Sequence, residues 1–311
     1  MKRKEPLVSV VMPVYNAGEF VGQAIESIIN QTYTNWELII IDDASTDNTW
    51  KIVSNFAKKY TKKIRAYRLR NNRNAGGDIA GNIGFAKARG AYIARMDGDD
   101  VALPTRLATQ VAFLEKNKRV DIVGSNAIVI DREGREVGQK RVPIKHSEIE
   151  REFFTFHPMI HPSVMVRASS VNPKSFYRIE YLANNDYLTF FTYLTSGKVF
   201  ANIATPLLFY RIHGHNDSLA HVRRNFINLL KIRMKAIKDM GYRPSVISIL
   251  KLMVQAMLVM LLPERLTVEL YYLVRGIKRW QDYALYPESL ELARMKAYAQ
   301  AVVGSIFISS R

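Results

Sequence analysis

Ala91-Tyr92-Ile93-Ala94-Arg95-Met96-Asp97-Gly98-Asp99-Asp100 runs an apolar, strand-like hexapeptide straight into three carboxylates within four residues. Like charges that close repel unless a positive group sits among them. Hard divalent cations such as magnesium and manganese take carboxylate oxygens and keep open positions for phosphate, so an acidic cluster at a strand's C-terminal end suits a metal-diphosphate site. An isolated D-x-D-D reads just as well as a solvated acidic turn, so its neighbours decide.

Working outward, the chain alternates short apolar strands with amphipathic helices from residue 7 to about residue 130. The pattern predicts strands over Leu7 to Met12, Trp36 to Ile41, Ile64 to Leu69 and Ala91 to Met96. Helices are expected over Gly18 to Asn30, Asp47 to Tyr60 and Ile79 to Arg89, the first with Phe20, Ala24, Ile25, Ile28 and Ile29 on one face. Such alternation with near-continuous apolar strands argues for an α/β fold on a mostly parallel sheet flanked by helices. Ligands of such sheets bind outside the strands' carboxyl ends. There the chain carries Pro13-Val14-Tyr15-Asn16, Asp42-Asp43-Ala44-Ser45-Thr46-Asp47 and Asp97-Gly98-Asp99-Asp100. Asp47 also reads as a cap for the helix behind it.

Length and composition are those of a globular chain: 311 residues, 48% hydrophobic and 23% charged. That is room for one large α/β domain of roughly 200 to 250 residues and an appendage. The absence of cysteine excludes disulfides, thiolate metal sites and cysteine nucleophiles, and fits a cytosolic location. The basic N-terminus leads into only eight apolar-run residues, Leu7 to Val14, interrupted by Ser9 and Pro13, which reads as a buried strand and not as a signal peptide. With 45 Lys/Arg against 28 Asp/Glu the net charge is +17, which calls for an anionic partner: nucleic acid, nucleotide phosphates or acidic lipid. A nucleic-acid-binding module would account for the charge. It would not account for three acidic strand-end loops, and no nucleic-acid recognition motif is found. A nucleotidyltransferase would lean on a Gly-rich phosphate loop after the first strand, and Pro13-Val14-Tyr15-Asn16-Ala17-Gly18 is not one.

Several ordered motifs together carry a resemblance. Val8 to Asn16, Gln31-Thr32-Tyr33 and Glu37 to Asp47 resemble the N-terminal half of the family 2 glycosyltransferases. Asn74-Ala75-Gly76, Asn82-Ile83-Gly84, Ala88 to Ala94, Asp97 to Asp100 and Pro104-Thr105-Arg106-Leu107 continue the pattern in order, over roughly residues 7 to 215. The resemblance implies the GT-A fold, a Rossmann-like domain over residues 1–220 that binds a nucleotide-sugar donor; the composition beyond it points to a helical, basic appendage over 221–311. It places Pro13, Tyr15, Asn16, Asp42 and Asp43 in the nucleobase pocket, with Asp43 accepting from a uracil-like ring nitrogen. Asp99 and Asp100 would meet ribose and a manganese or magnesium ion, with Asp97 opening the D-x-D element. Arg73 and Asn74 are helpers. At Gly81 the chain departs from the family, where an arginine commonly precedes the asparagine matched by Asn82; Arg73 or Arg95 are alternatives for the missing contact.

The second half resembles the family's acceptor side. His157 to Arg167 matches the segment leading into it, and Tyr181 to Gly197 the region that carries a Glu-Asp pair. Asp186 falls on the aspartate, the implied general base of an inverting transfer, while Asn185 stands where the glutamate would be and so removes a like charge. Tyr210-Arg211-Ile212-His213 resembles the closing pattern, with His213 implied to reach diphosphate or metal and Arg211 the pyrophosphate charge.

Beyond residue 220 the chain becomes helical, cationic and apolar, with fifteen Lys/Arg against six Asp/Glu, a balance of +9. Phe226, Ile227, Leu230, Met234 and Ile237 fall at helical spacing with Lys231, Arg233, Lys235 and Lys238 between them. Ser245 to Leu262 is apolar for about the length of a span, but Lys251 within it costs roughly 3 kcal/mol at mid-bilayer. Helices lying on an anionic cytosolic membrane face, serving a lipid-linked saccharide acceptor, are the expectation; a helical subdomain or oligomer contact is the alternative.

Overall fold

The computed structural model describes residues 5–73, 77–213, 222–263, and 266, 267, 269 and 270. Asn74-Ala75-Gly76, Gly214-His215 and the chain from 271 onward lie outside the described residues. The first half is β1 (Val8–Val14), α1 (Val21–Ile29), β2 (Trp36–Asp42), α2 (Thr49–Lys59), β3 (Ile64–Arg68), α3 (Asp78–Lys87) and β4 (Tyr92–Arg95). Every expected strand and helix is present, with ends moved by a few residues. β5 (Val101–Ala102), α4 (Arg106–Lys116), β6 (Ile122–Ile130), β7 (Glu136–Lys140), α5 (His146–Glu152), β8 (Met165–Arg167), α6 (Asn185–Thr195) and β9 (Phe200–Arg211) follow.

One sheet runs in the order β3-β2-β1-β4-β8-β6-β9-β5, with β7 beside β6. The block β3-β2-β1-β4 is parallel, β8 is antiparallel to both neighbours, and β6 and β9 are again parallel. All seven positions of β1 and of β2 are buried, as expected of strands covered on both faces. One face carries Val10, Met12, Leu38 and Ile40 against Ala24, Ile25 and Ile28 of α1. The other carries Val11, Ile39 and Ile41 against Phe85 of α3 and Phe190 of α6. The register pairs Val14 with Asp42 and Asp42 with Arg68, so these strands end level and their loops share one rim.

Two further helices, α7 (Val222–Met240) and α8 (Val246–Leu261), follow. α7 packs Ile232 and Ala236 into the same core as Phe191 of α6. Phe226 is buried, but Ile227, Met234 and Ile237 are exposed and Arg233 is turned in, because its guanidinium finds the Thr155 carbonyl at 2.7 Å and the Tyr187 hydroxyl at 3.3 Å. In α8, Lys251 also turns in, to Glu152 at 3.4 Å, leaving Val246, Leu250, Met253, Met257 and Met260 exposed along one stripe. No helix among the described residues is long and apolar enough to cross a membrane.

Candidate active site

The β1 and β2 loops are stitched to each other before anything binds. Asn16 takes a positive φ of 47°, donates its amide to Ser45 Oγ at 3.0 Å and accepts from the Thr46 amide at 2.8 Å. Asp47 accepts from the Thr49 amide at 2.9 Å and the Gly18 amide at 2.9 Å, one residue ahead of Asn48, which occupies the cap position of α2. Asp42 is fully buried with Arg68 Nε 3.1 Å away, which makes it a strut under the rim. Asp43 receives the Arg73 amide on both oxygens, at 3.1 and 3.2 Å, while burial pushes its carboxyl up. Arg73 thus reaches Asp43 through its backbone, with its residue exposed. Pro13 lies against Gly77 at the head of α3, and Tyr15 is 50% exposed above the rim.

Asp97, Asp99 and Asp100 each bring a carboxylate oxygen within 4.8 Å of the others. Gly98 allows this turn: a Cβ there would sit 2.7 Å from Val14 Cγ1. Two buried arginines lie beneath. Arg95 holds Asp97 Oδ1 at 2.6 Å, and Arg106 donates to the Arg95 carbonyl at 2.6 Å, its guanidinium held down to about 10 by burial. Arg211 braces the motif, giving its amide to Asp100 Oδ1 at 2.8 Å and its Nε to the Asp99 carbonyl at 2.8 Å. Its remaining nitrogens go to the Asp131 and Arg132 carbonyls and to Gln23, so it does not extend toward a pyrophosphate as expected but builds the turn. His213, stacked on Phe20, approaches Asp99 Oδ2 at 2.9 Å.

The triad remains short of positive charge. Burial first, then the charges of Asp99 and Asp186 against the opposing pull of Arg95, push Asp97 up, while burial followed by the Asp99 and Asp97 charges pushes Asp100 well above the usual carboxylate range. Asp100 Oδ2 is buried with no hydrogen-bond partner. An orphaned carboxylate oxygen beside two more carboxylates fits a hard divalent cation, whose charge would reverse these shifts.

Asp186 sits in the first turn of α6, where Asn184, with φ of 67°, occupies the cap position. Its Oδ2 lies 3.3 Å from His157 Nε2 and 3.8 Å from His161 Nδ1. Burial alone would raise this carboxyl, but the His157 imidazole beside it holds it far below the usual range. Asp186 is near enough for its charge to raise Asp97 and Asp78. Asn185 ties the preceding loop, accepting the Glu180 and Tyr181 amides at 3.0 Å each. Gly81 is filled from the side: a Cβ there would meet Tyr177 Cε2 at 2.8 Å, and Asn82 clamps Tyr177's backbone with bonds of 2.9 and 2.7 Å.

Sequence reasoning did not single out Asp78, Tyr177 or His157. Asp78 is 4% exposed, with Oδ1 unpartnered, and burial followed by the Asp186 charge raises it well above its usual value. An acid at the first position of a helix reads as a dipole partner, which hides it.

An open-rimmed parallel sheet with acidic strand-end loops, ending in a mixed sheet that carries a separate carboxylate, defines the GT-A class of sugar-transferring folds. The model of glycosyl transferase family 2 matches residues 9–174, and the chain belongs to that family. EpsE of Bacillus subtilis, itself described as a glycosyltransferase only provisionally, is 39% identical over 56% of this chain, a match that spans 60% of EpsE. An Escherichia coli protein, UDP-Glc:alpha-D-GlcNAc-diphosphoundecaprenol beta-1,3-glucosyltransferase WfaP, is 38% identical over 36% of this chain and 43% of its own. Among solved structures, S. aureus TarS in complex with UDP-GlcNAc superposes with a TM-score of 0.61 at 18% identity, covering 96% of this chain and 83% of that one. The mannosyltransferase PcManGT from Pyrobaculum calidifontis, with GDP-Man and Mn2+, gives 0.58 at 18% identity over 99% and 89%. These structures share the fold.

Proposed function

We propose that this chain transfers a hexose from a nucleoside-diphosphate sugar, UDP-linked by preference, to a hydroxyl of a saccharide carried on a lipid diphosphate, by an inverting displacement assisted by manganese or magnesium. The observation that carries the reading is a charge-deficient triad, Asp97, Asp99 and Asp100, beside Asp186, a carboxylate kept ionised by His157. Family membership and the diphosphoundecaprenol-linked acceptor in WfaP's name support the chemistry and the place in bacterial polysaccharide assembly.

In this reading Asp43 accepts from the nucleobase ring nitrogen, with Pro13, Tyr15 and Asn16 around the base and Asp42 and Arg73 holding the loop. Asp97, Asp99 and Asp100, with His213 on Asp99, would hold the cation, which would supply positive charge against the leaving diphosphate. Arg95 keeps Asp97 oriented. Asp186 takes the acceptor hydroxyl's proton as that oxygen attacks the anomeric carbon from the face opposite the diphosphate. The test is a screen of UDP-glucose, UDP-N-acetylglucosamine and GDP-mannose for nucleoside diphosphate release with and without Mn2+ and a polyprenyl-diphosphate saccharide. No cation-dependent release from any donor would defeat the assignment.

We further propose that residues 221–311 form a basic region that lies on an anionic cytosolic membrane surface, with the apolar stripe of α8 at the headgroup boundary. Flotation with anionic liposomes compares the chain with its Leu250→Glu, Met253→Glu form; equal recovery of both would defeat this placement.

A further inference from the structure

A buried phenol holds one of the two histidines that face the base. The Tyr177 hydroxyl is buried and has one hydrogen-bond partner among the described residues. Were that partner the donor, the phenol's one hydrogen would be left buried without an acceptor, so the hydroxyl donates. That partner is His161 Nε2, 2.7 Å away. A neutral imidazole accepting at Nε2 must carry its proton on Nδ1, the nitrogen that looks at Asp186 Oδ2 from 3.8 Å. His161 is neutral, since burial and the Arg95 charge hold it down at about 3. Tyr177 has little freedom to do otherwise, being clamped by Asn82 and seated in the space that Gly81 leaves.

We propose that Tyr177 is a positioning residue for the transfer: it sets His161 in the Nδ1–H tautomer facing Asp186. The proposal rests on the reading of Asp186 as base. It also gives Gly81 a task, because any larger side chain there would push the phenol off His161.

Nitrogen-15 NMR of the histidine rings in the full chain reads the tautomer without substrate. The expected result is Nδ1–H at His161 in the parent chain and a shift to Nε2–H in Tyr177→Phe. In Mn2+, Tyr177→Phe should release UDP from UDP-glucose with kcat down about tenfold and KM within about twofold, the pattern of an interaction made in the transition state. Gly81→Ala, which keeps the hydroxyl but crowds the ring, should show the same tautomer shift and a smaller fall in kcat, and serves if Tyr177→Phe does not fold. Nε2–H in the parent chain, or unchanged kcat in a folded Tyr177→Phe, overturns the proposal. A parent chain with Nδ1–H and no release from any donor would sustain the hydrogen bond and sink the transferase reading, so the two failures are distinguishable.

Discussion

Carboxylates gather at both edges of the parallel block, and the two edges treat them in opposite ways. At the strands' starting edge Glu37 is buried and saturated: it accepts from Ser9 Oγ at 2.7 Å, the Arg89 amide at 3.0 Å, Arg89 Nη2 at 2.7 Å and Arg65 Nη2 at 2.9 Å. Although burial opposes it, those bonds hold Glu37 below the ordinary glutamate range. At the finishing edge Asp97 and Asp100 are pushed up, and Asp100 keeps an orphaned oxygen. A carboxylate that the chain satisfies itself is scaffold; a cluster left in mutual repulsion costs stability and is retained for a ligand. The contrast separates the two within one sheet.

The contrast breaks most visibly at the base. Asp186→Asn should lower kcat by about 100- to 10,000-fold while calorimetry finds UDP binding unchanged, the usual worth of general base catalysis. Removing charge from the unsatisfied edge comes next: Asp100→Asn should cost roughly 100-fold in Mn2+-dependent turnover and weaken Mn2+ binding, with thermal stability held or raised, since an uncompensated buried charge is gone. Glu37→Gln should do the reverse, leaving the folded enzyme's kcat near normal but destabilising it by about 2 kcal/mol, seen as a Tm lower by roughly 4 to 8 °C. Glu37's contribution is complete above the ordinary glutamate range and is lost as pH falls through its lowered value.

Two smaller effects sharpen the picture. Asp43→Asn should weaken UDP binding about tenfold in titration calorimetry, the value of one charge-assisted hydrogen bond, with little change in kcat. The raised Asp97 and Asp100 bind protons more tightly folded than unfolded, so without a cation their contribution favours folding at low pH and fades as pH rises through the raised values. Mn2+ supplies the missing charge, and its upward shift of Tm, followed by scanning fluorimetry, should therefore be larger at pH 8 than at pH 5.5.

The donor side was legible because its chemistry is contiguous: Asp97-Gly98-Asp99-Asp100 and Asp42-Asp43 each end an apolar strand, and level strand ends put them on one rim. Within the rim it was the resemblance, and not residue type, that set Asp43 apart from Asp42; folding turns Asp43 to the Arg73 amide and Asp42 to Arg68, since adjacent residues of an extended chain point to opposite sides. Arg211 was read as a phosphate contact because an exposed and a buried arginine look alike in one dimension. Its carbonyl acceptors come from Asp131 and Arg132, far off in the chain. The inward turn of Arg233 and Lys251 escaped helical periodicity for the same reason.

Alternation of apolar strands and helices, and acids placed where those strands stop, were enough to dictate the class of fold and the edge at which chemistry occurs, because both follow from local spacing and burial. Which carboxylates stay unpaired, that His157 and His161 bracket Asp186, and that Tyr177 fills the gap at Gly81 were settled only by folding. Those relations join residues up to a hundred positions apart, and the charge felt by a buried group depends on whatever the completed packing brings beside it.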